Sequence, residues 1–184
     1  MWNFIVEILV SFVPKKKRTG ARYRLRNIFT YIYLKSKYKN IGKNFRCTKD
    51  VKLSNRTKIG DDVMLGGLNV RGQGELILHN NIVIAAECLA ITSSHNYNGN
   101  QLPFAEDDNA SGIEIEDHVW VGQRVTLLPG TRLREGCIIQ AGAVVHGEIP
   151  ACSIAGGNPA KVFKMRDEEI YQKLKKEYEN NRRG

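Results

Sequence analysis

A six-residue period organises most of this chain. From Ile115 to Val145 a large aliphatic residue returns at every sixth position, and a second series with smaller side chains runs two residues before it. The first series is Ile115, Val121, Leu127, Leu133, Ile139 and Val145, and the second is Ile113, Val119, Val125, Thr131, Cys137, Ala143 and Ile149. A period of six fits neither the 3.6-residue turn of an α-helix nor the repeat of a coiled coil.

The same period is present upstream. Its members there are Ile41, Cys47, Leu53, Ile59, Leu65, Leu78 and Ile84. The step from Leu65 to Leu78 is thirteen, which indicates one extra residue near Gly66-Gly67 or Gly72-Gln73-Gly74. Residues 93–112 are polar, rich in Gly, Asn and Asp, and outside the repeat. We expect an inserted loop there, and long loops inside compact domains are usually functional or disordered.

A hexad that directs one large and one small residue inward is typical of a parallel β-helix. Each hexad forms a short strand and a corner, and three hexads complete one coil that pairs with its neighbours. A sandwich of short antiparallel strands is the alternative, which the strict spacing disfavours. We predict an all-β fold with a β-helix at 38–166 and a C-terminal helix at 167–184, whose stripe of Ile170, Leu174 and Tyr178 would cap the open end.

Positive charge is concentrated at the N-terminal side. The net charge is +9, and residues 1–58 hold 16 of the 28 Lys and Arg but only two acidic residues. Such a segment suits an anionic partner. Apolar residues at helical spacing within a basic helical segment at 1–37 indicate contact of residues 1–26 with an anionic membrane. Packing on the body or on a neighbouring subunit stays open, and no nucleic acid is expected because no recognised binding motif is present.

The four cysteines are spread widely and form no C-x-x-C pair. No cleavable signal is apparent, and the apolar stretch at 2–13 is shorter than a membrane-spanning helix requires. We therefore expect buried thiols in a reducing compartment and a cytoplasmic protein peripheral to the inner face of the membrane.

Three segments carry a family resemblance. They are IEIEDHVWVGQRVTLLPG, CIIQAGAVV and IPACSIAGGNPAKVFKMR. With the hexads, they resemble the hexapeptide-repeat acyltransferases over about 41–166, in the branch of galactoside, maltose, xenobiotic and surface-polysaccharide O-acetyltransferases. The resemblance implies a left-handed parallel β-helix. It also implies transfer of acetyl from acetyl-CoA to a hydroxyl or amine, at clefts between the subunits of a homotrimer.

The resemblance also assigns site residues. His95, directly after the expected strand at 89–92, matches the catalytic histidine, which would take a proton from the attacking group. The positions that match cofactor contacts are Trp120, Gln123, Ala141, His146, Gly147, Lys161 and Lys164. Trp120 also lines the acceptor side. The family's acceptor-side Asn would fall near Gly66, so either Asn69 reaches in or another group serves instead.

We therefore expect an acetyl-CoA-dependent O-acetyltransferase that acts on a sugar or glycan acceptor in surface polysaccharide or lipopolysaccharide biosynthesis. The alternatives are an N-acetyltransferase for a nucleotide-linked amino-sugar, a xenobiotic acetyltransferase and a non-enzymatic β-helix scaffold. A gamma-type carbonic anhydrase uses the same fold, but no histidine pair here has the H-x4-H spacing, so no metal site is expected.

Overall fold

The computed structural model describes residues 21–38, 40–48 and 50–183. Most of the segment 1–26 that is predicted to contact a membrane lies outside these residues. Helix α1 (Ala21–Lys37) comes first, a stack of short strands follows, and helix α2 (Glu168–Arg183) comes last.

The strands of the described part form three long faces and one hairpin. Face A contains β2 (Thr57–Ile59), β5 (Leu76–Leu78), β10 (Ile113–Ile115), β13 (Arg132–Leu133) and β16 (Glu148–Ile149). Face B contains β1 (Arg46–Cys47), β3 (Met64–Leu65), β6 (Val83–Ile84), β11 (Trp120–Val121), β14 (Ile138–Ile139), β17 (Ser153–Gly157) and β18 (Ala160–Met165). Face C contains β4 (Leu68–Arg71), β7 (Cys88–Ile91), β12 (Thr126–Leu127) and β15 (Val144–Val145), and the hairpin is β8 (Ser93–His95) with β9 (Asp108–Ala110).

Strands of successive coils pair in parallel. Ile115 is in register with Leu133 on face A, and Leu127 with Val145 on face C, so three hexads complete one coil. Only β8–β9 and β17–β18 pair antiparallel among the described strands. The predicted parallel β-helix is confirmed, and the antiparallel sandwich is wrong.

The inward hexad positions form the core. Leu65, Leu78, Ile115 and Leu133 are each at most 1% exposed. Burial of one such side chain contributes about 1.5–3 kcal/mol, which explains why so short a strand is stable within the stack. Ile149 is placed differently from the prediction. It is in register with Leu133 and so belongs to the large series, because this coil is two residues shorter.

The break in the hexad rhythm near residue 70 has two parts. Val70 is the second inward residue of β4, only five positions after Leu65, so one residue is missing at Gly66-Gly67. Leu78 follows eight positions after Val70, so two residues are added at the corner Gly72–Gly74. The single predicted insertion is the net of these two changes.

Positive φ angles mark the corner between faces A and B. Six residues in this column have φ between 52° and 69°: Asn44, Asp62, Asn81, His118, Gly136 and Cys152. Glycine adopts this conformation freely, and Asn, Asp and His adopt it more readily than other residue types. His118 therefore occupies a turn of the repeat.

Helix α2 lies along this corner. The carboxylate of Asp167 accepts the backbone N–H of Ile170 at 3.0 Å and caps the helix. Tyr171 is 4% exposed, and Tyr178 donates to Asp62 at 2.7 Å. Ile170 and Leu174 are more than half exposed. The predicted stripe is therefore wrong for Ile170 and Leu174 and is confirmed only for Tyr178. Its role as an end cap is wrong, because the helix docks through polar and aromatic groups on the turns.

Helix α1 packs against the first coil. Leu34 and Tyr38 are buried, and the Tyr38 hydroxyl donates to the Leu53 carbonyl at 2.9 Å. Neither described helix is long and apolar enough to cross a membrane.

Candidate functional site

The inserted segment forms an ordered hairpin at the corner between faces C and A. It leaves the coil after β7 and returns before β10, where Ser111 N–H donates to the Thr92 carbonyl at 2.9 Å. Beyond that bond, β8 and β9 pair antiparallel and place His95 directly opposite Asp108. The chain therefore interrupts the coil to present these two side chains outside it.

His95 and Asp108 form a hydrogen-bonded pair. The imidazole Nδ1 lies 2.8 Å from Asp108 Oδ1, and the two side chains are 61% and 25% exposed. The Phe104 ring stacks on the imidazole, with centroids 3.9 Å apart and planes 6° from parallel. When Nδ1 donates its proton to the carboxylate, Nε2 is left as the acceptor. The arrangement fixes an exposed imidazole that is able to accept a proton.

Sequence reasoning missed Asp108 and Phe104. Both lie in the segment 93–112 that it singled out, but the antiparallel pairing that brings residue 108 beside residue 95 is not visible in the hexads. The acidic run Glu106-Asp107-Asp108 was the available signal.

Two of the expected cofactor residues, His146 and Gly147, lie at the same corner as the hairpin. Gly130 stacks next to the hairpin base, where its N–H reaches the Ser111 carbonyl at 3.3 Å. Gly147 lies in the following coil, and its carbonyl accepts the Arg132 N–H at 2.9 Å. His146 is exposed beside Gly147. His95, His146 and Gly147 therefore share one corner of the β-helix.

The other expected cofactor residues lie across face C. Trp120 points outward from face B with 53% of its surface exposed, in register with Val83 and Ile138. Lys161 and Lys164 are exposed on the edge strand β18 of that face. The predicted site residues thus form two groups on opposite sides of face C.

Gln123 and Ala141 occupy the corner between faces B and C. The Gln123 carbonyl accepts the Gly142 N–H at 2.8 Å, and its side-chain amide donates to Glu87 at 3.0 Å. A Cβ atom on Gly122 would lie 2.6 Å from the Ala141 nitrogen, so the coils approach closely here. These contacts hold a tight corner on the Trp120 side of the molecule.

Asn69 lies on face C, in register with Leu89 and one coil before His95. Its side chain is half-buried. The expectation that it serves the acceptor stays a prediction.

Arg166 lies near the two lysines in sequence, but it donates to the Gly136 carbonyl at 3.0 Å and lies over the Tyr171 ring. Its guanidinium therefore helps to dock α2.

The remaining histidines have structural partners. His79 Nε2 lies 3.0 Å from Glu114 Oε1, and Asn81 Nδ2 lies 2.8 Å from His118 Nδ1. Within residues 21–38, 40–48 and 50–183, no three His, Cys, Asp or Glu side chains are arranged to hold a metal ion.

A model of the bacterial transferase hexapeptide, six repeats, matches residues 112–147. Among curated proteins, the chain is 34% identical over 111 residues to a probable acetyltransferase of Mycobacterium tuberculosis. That alignment covers 59% of this chain and 37% of the relative. The chain likewise spans 45% and 38% of the length of two further curated relatives.

Solved structures share the fold at low sequence identity. A galactoside acetyltransferase in complex with coenzyme A has a TM-score of 0.67 at 18% identity, over 92% of this chain and 83% of the other. An N-acyltransferase from Bacillus cereus, in complex with dTDP and 3-hydroxybutyryl-CoA, has a TM-score of 0.65 at 17% identity, over 84% and 97%. By its repeat and its fold, this chain is similar to the hexapeptide-repeat acyltransferases.

Proposed function

We propose that this protein is an acetyl-CoA-dependent acetyltransferase that acylates a hydroxyl of a sugar. The observation that carries the proposal is the exposed imidazole of His95, which is held by Asp108 at 2.8 Å on a hairpin that interrupts the repeat. A sugar hydroxyl is a weak nucleophile at neutral pH and needs a positioned base. Nothing in the β-helix itself requires such a pair.

The reaction follows from the two side chains. His95 Nε2 takes the proton of the acceptor hydroxyl while its oxygen bonds to the thioester carbonyl carbon. Asp108 stabilises the imidazolium that forms. The tetrahedral species then collapses, the carbon–sulfur bond breaks, and the departing thiolate receives the proton from His95. The products are the acetyl ester and free CoA.

The face B residues suit the co-substrate. Exposed Lys161 and Lys164 supply cations for the CoA phosphates, and Trp120 supplies apolar surface beside the tight corner at Gln123 and Ala141. We place His146 and Gly147 on the catalytic side of the same cleft. Since face C separates the two groups within one chain, we infer that a second copy completes each cleft in a homotrimer.

The acceptor is proposed to be a sugar in surface polysaccharide or lipopolysaccharide biosynthesis. Similarity to a galactoside acetyltransferase supports a sugar hydroxyl. Similarity to an N-acyltransferase that holds dTDP supports the second candidate, N-acetylation of a nucleotide-linked amino-sugar. On either acceptor, the same base would serve.

Helix α1 suits contact with an anionic membrane. Leu25, Ile28 and Ile32 are 37% to 52% exposed, on the side of the helix away from buried Leu34. The helix contains five basic residues and no acidic one. An exposed apolar stripe among cations is typical of interfacial helices. We propose that the protein works at the cytoplasmic surface of a membrane.

Two experiments test these proposals. The first follows free thiol release from acetyl-CoA with a panel of sugars, nucleotide-sugars and amino-sugars, and we expect turnover with at least one sugar that disappears in His95→Ala. A fully active His95→Ala variant would contradict the assigned base.

The second experiment is sedimentation with anionic or neutral vesicles. Ile28→Glu/Ile32→Glu should abolish binding to anionic vesicles, whereas Ile170→Glu/Leu174→Glu on α2 should not, and equal binding to both vesicle types would contradict a membrane site.

A further inference from the structure

The two residues added at the corner Gly72–Gly74 lie against the base of the catalytic hairpin. The Gly74 N–H donates to Thr92 Oγ1 at 3.1 Å, and the Gln73 N–H donates to Ser93 Oγ at 3.3 Å. A Cβ atom on Gly72 would lie 2.6 Å from the Ser93 nitrogen, and one on Gly74 would lie 2.4 Å from the Thr92 carbonyl oxygen. Only glycines on both sides of Gln73 allow the corner to approach the hairpin this closely.

This approach brings the Gln73 side chain to Asp108. The Gln73 amide Nε2 donates to Asp108 Oδ2 at 3.4 Å, while the other oxygen, Oδ1, faces His95. The guanidinium of Arg56 donates to the Gln73 carbonyl. Both oxygens of the carboxylate therefore have partners, and the group that holds the second oxygen is itself tied to the coil.

We propose that Gln73 is a positioning residue that acts through Asp108 on His95. A carboxylate held at both oxygens presents a fixed acceptor to His95 Nδ1, so the neutral imidazole keeps its proton on Nδ1 and leaves Nε2 free as the base. Without the amide, the carboxylate rotates about its side-chain bonds, and the Nε2–H tautomer, which is unable to accept a proton at Nε2, becomes populated.

The proposal gives a function to an irregularity of the repeat. A corner of regular hexad length between Val70 and Leu78 would have no residues that reach the hairpin. The corner with two added residues is one element that the coil before the hairpin contributes to the site. The inference rests on the proposed role of His95, but its structural part does not depend on any acceptor.

The test uses Gln73→Met, which removes the amide and keeps the length of the side chain. Long-range ¹H–¹⁵N NMR spectra of the labelled full-length protein, recorded without substrate at a pH where the imidazole is neutral, report the tautomer of His95. We expect the Nδ1–H form in the native protein and a clear Nε2–H fraction in Gln73→Met. Gln172→Ala, on the exposed surface of α2, is the control and should match the native spectrum.

Kinetics supply the second readout. We expect kcat in Gln73→Met to fall about tenfold with KM for acetyl-CoA unchanged, as is common when a group that orients a functional side chain is removed. An unchanged tautomer of His95 in Gln73→Met overturns the proposal even if activity falls. A changed tautomer in a protein that acetylates nothing on the panel supports the role of Gln73 and contradicts the acetyltransferase proposal instead.

Discussion

His95 and Asp108 face each other across the β8–β9 hairpin, with Nδ1 of the imidazole 2.8 Å from Oδ1 of the carboxylate. The pair depends on strand register, since directly opposed residues in an antiparallel pair project from the same side. A slip of one residue would move Asp108 away from His95. The base is therefore oriented by sheet pairing as well as by side-chain contacts.

We predict that Asp108→Asn lowers kcat by about 100-fold or more. The amide is neutral and does not stabilise the imidazolium, and its NH₂ group favours the wrong tautomer of His95. Thiol release from acetyl-CoA measures the effect. Asp107→Asn is the matched control, because Asp107 accepts a hydrogen bond from Asn96 at 3.0 Å and not from the imidazole. Equal activity of the two variants would contradict the role of Asp108.

A site shared between copies predicts complementation. His95→Ala and the double variant Trp120→Ala/Lys161→Ala each remove one of the two groups, so each alone should be inactive. Co-expression with two different tags and purification of the mixed trimer should restore up to about a third of the native activity, because one of the three clefts in each mixed trimer has both groups intact. No recovery in verified mixed oligomers would show that the site lies within one chain.

The hexads predict the inward residues well because burial imposes the same requirement on every coil. Leu78 and Ile115, which are 37 positions apart, are in register although a hairpin separates them in sequence. Residues outside the repeat are set by contacts that have no period. Asp108 depends on the register of one hairpin, and α2 docks through Tyr171 rather than Ile170 because the turns beneath it offer polar groups such as Glu135.

The environment of His118 predicts that the folded protein loses stability in mild acid. Burial of the imidazole lowers its pKa, although the carboxylates of Asp117, Glu135 and Glu179 act in the opposite direction. The ammonium of Lys175 also lowers this pKa. The rings of Tyr171 and Tyr178 contact the imidazole edge-on, and Asn81 bonds to its Nδ1.

The sign follows from the lowered pKa. Between the lowered folded value and the ordinary value of about 6.5, the unfolded chain binds more protons at this site, so the free energy of unfolding falls as the pH drops below about 6.5. Urea unfolding at several pH values across this range gives the free energy of unfolding at each pH. The slope of this free energy against pH should be smaller in His118→Asn, which keeps a residue type that tolerates positive φ. His79→Asn is the control, and an unchanged slope in His118→Asn would contradict the assignment.

Gly136→Ala and Gly142→Ala form a matched pair of variants that measures the docking of α2. Both have positive φ, 69° and 76°, so alanine at either position costs about 1–2 kcal/mol of backbone strain. A Cβ atom on Gly136 would also lie 2.6 Å from the Tyr171 ring, whereas one on Gly142 has nothing within 4 Å. The clash would displace Tyr171, whose hydroxyl donates to Glu135 at 2.8 Å.

We therefore expect Gly136→Ala to lower the free energy of unfolding by about 1–3 kcal/mol more than Gly142→Ala does, as is typical of overpacking at a tight contact. Urea unfolding followed by tyrosine fluorescence and by circular dichroism measures the difference. Tyr171→Ala should remove most of it, because the backbone strain at the two glycines is nearly the same and only the ring distinguishes them. An equal decrease in the free energy of unfolding in the two glycine variants would mean that α2 moves away from the added methyl group at no cost in free energy. Tyr171 would then contribute little to holding the helix along the corner.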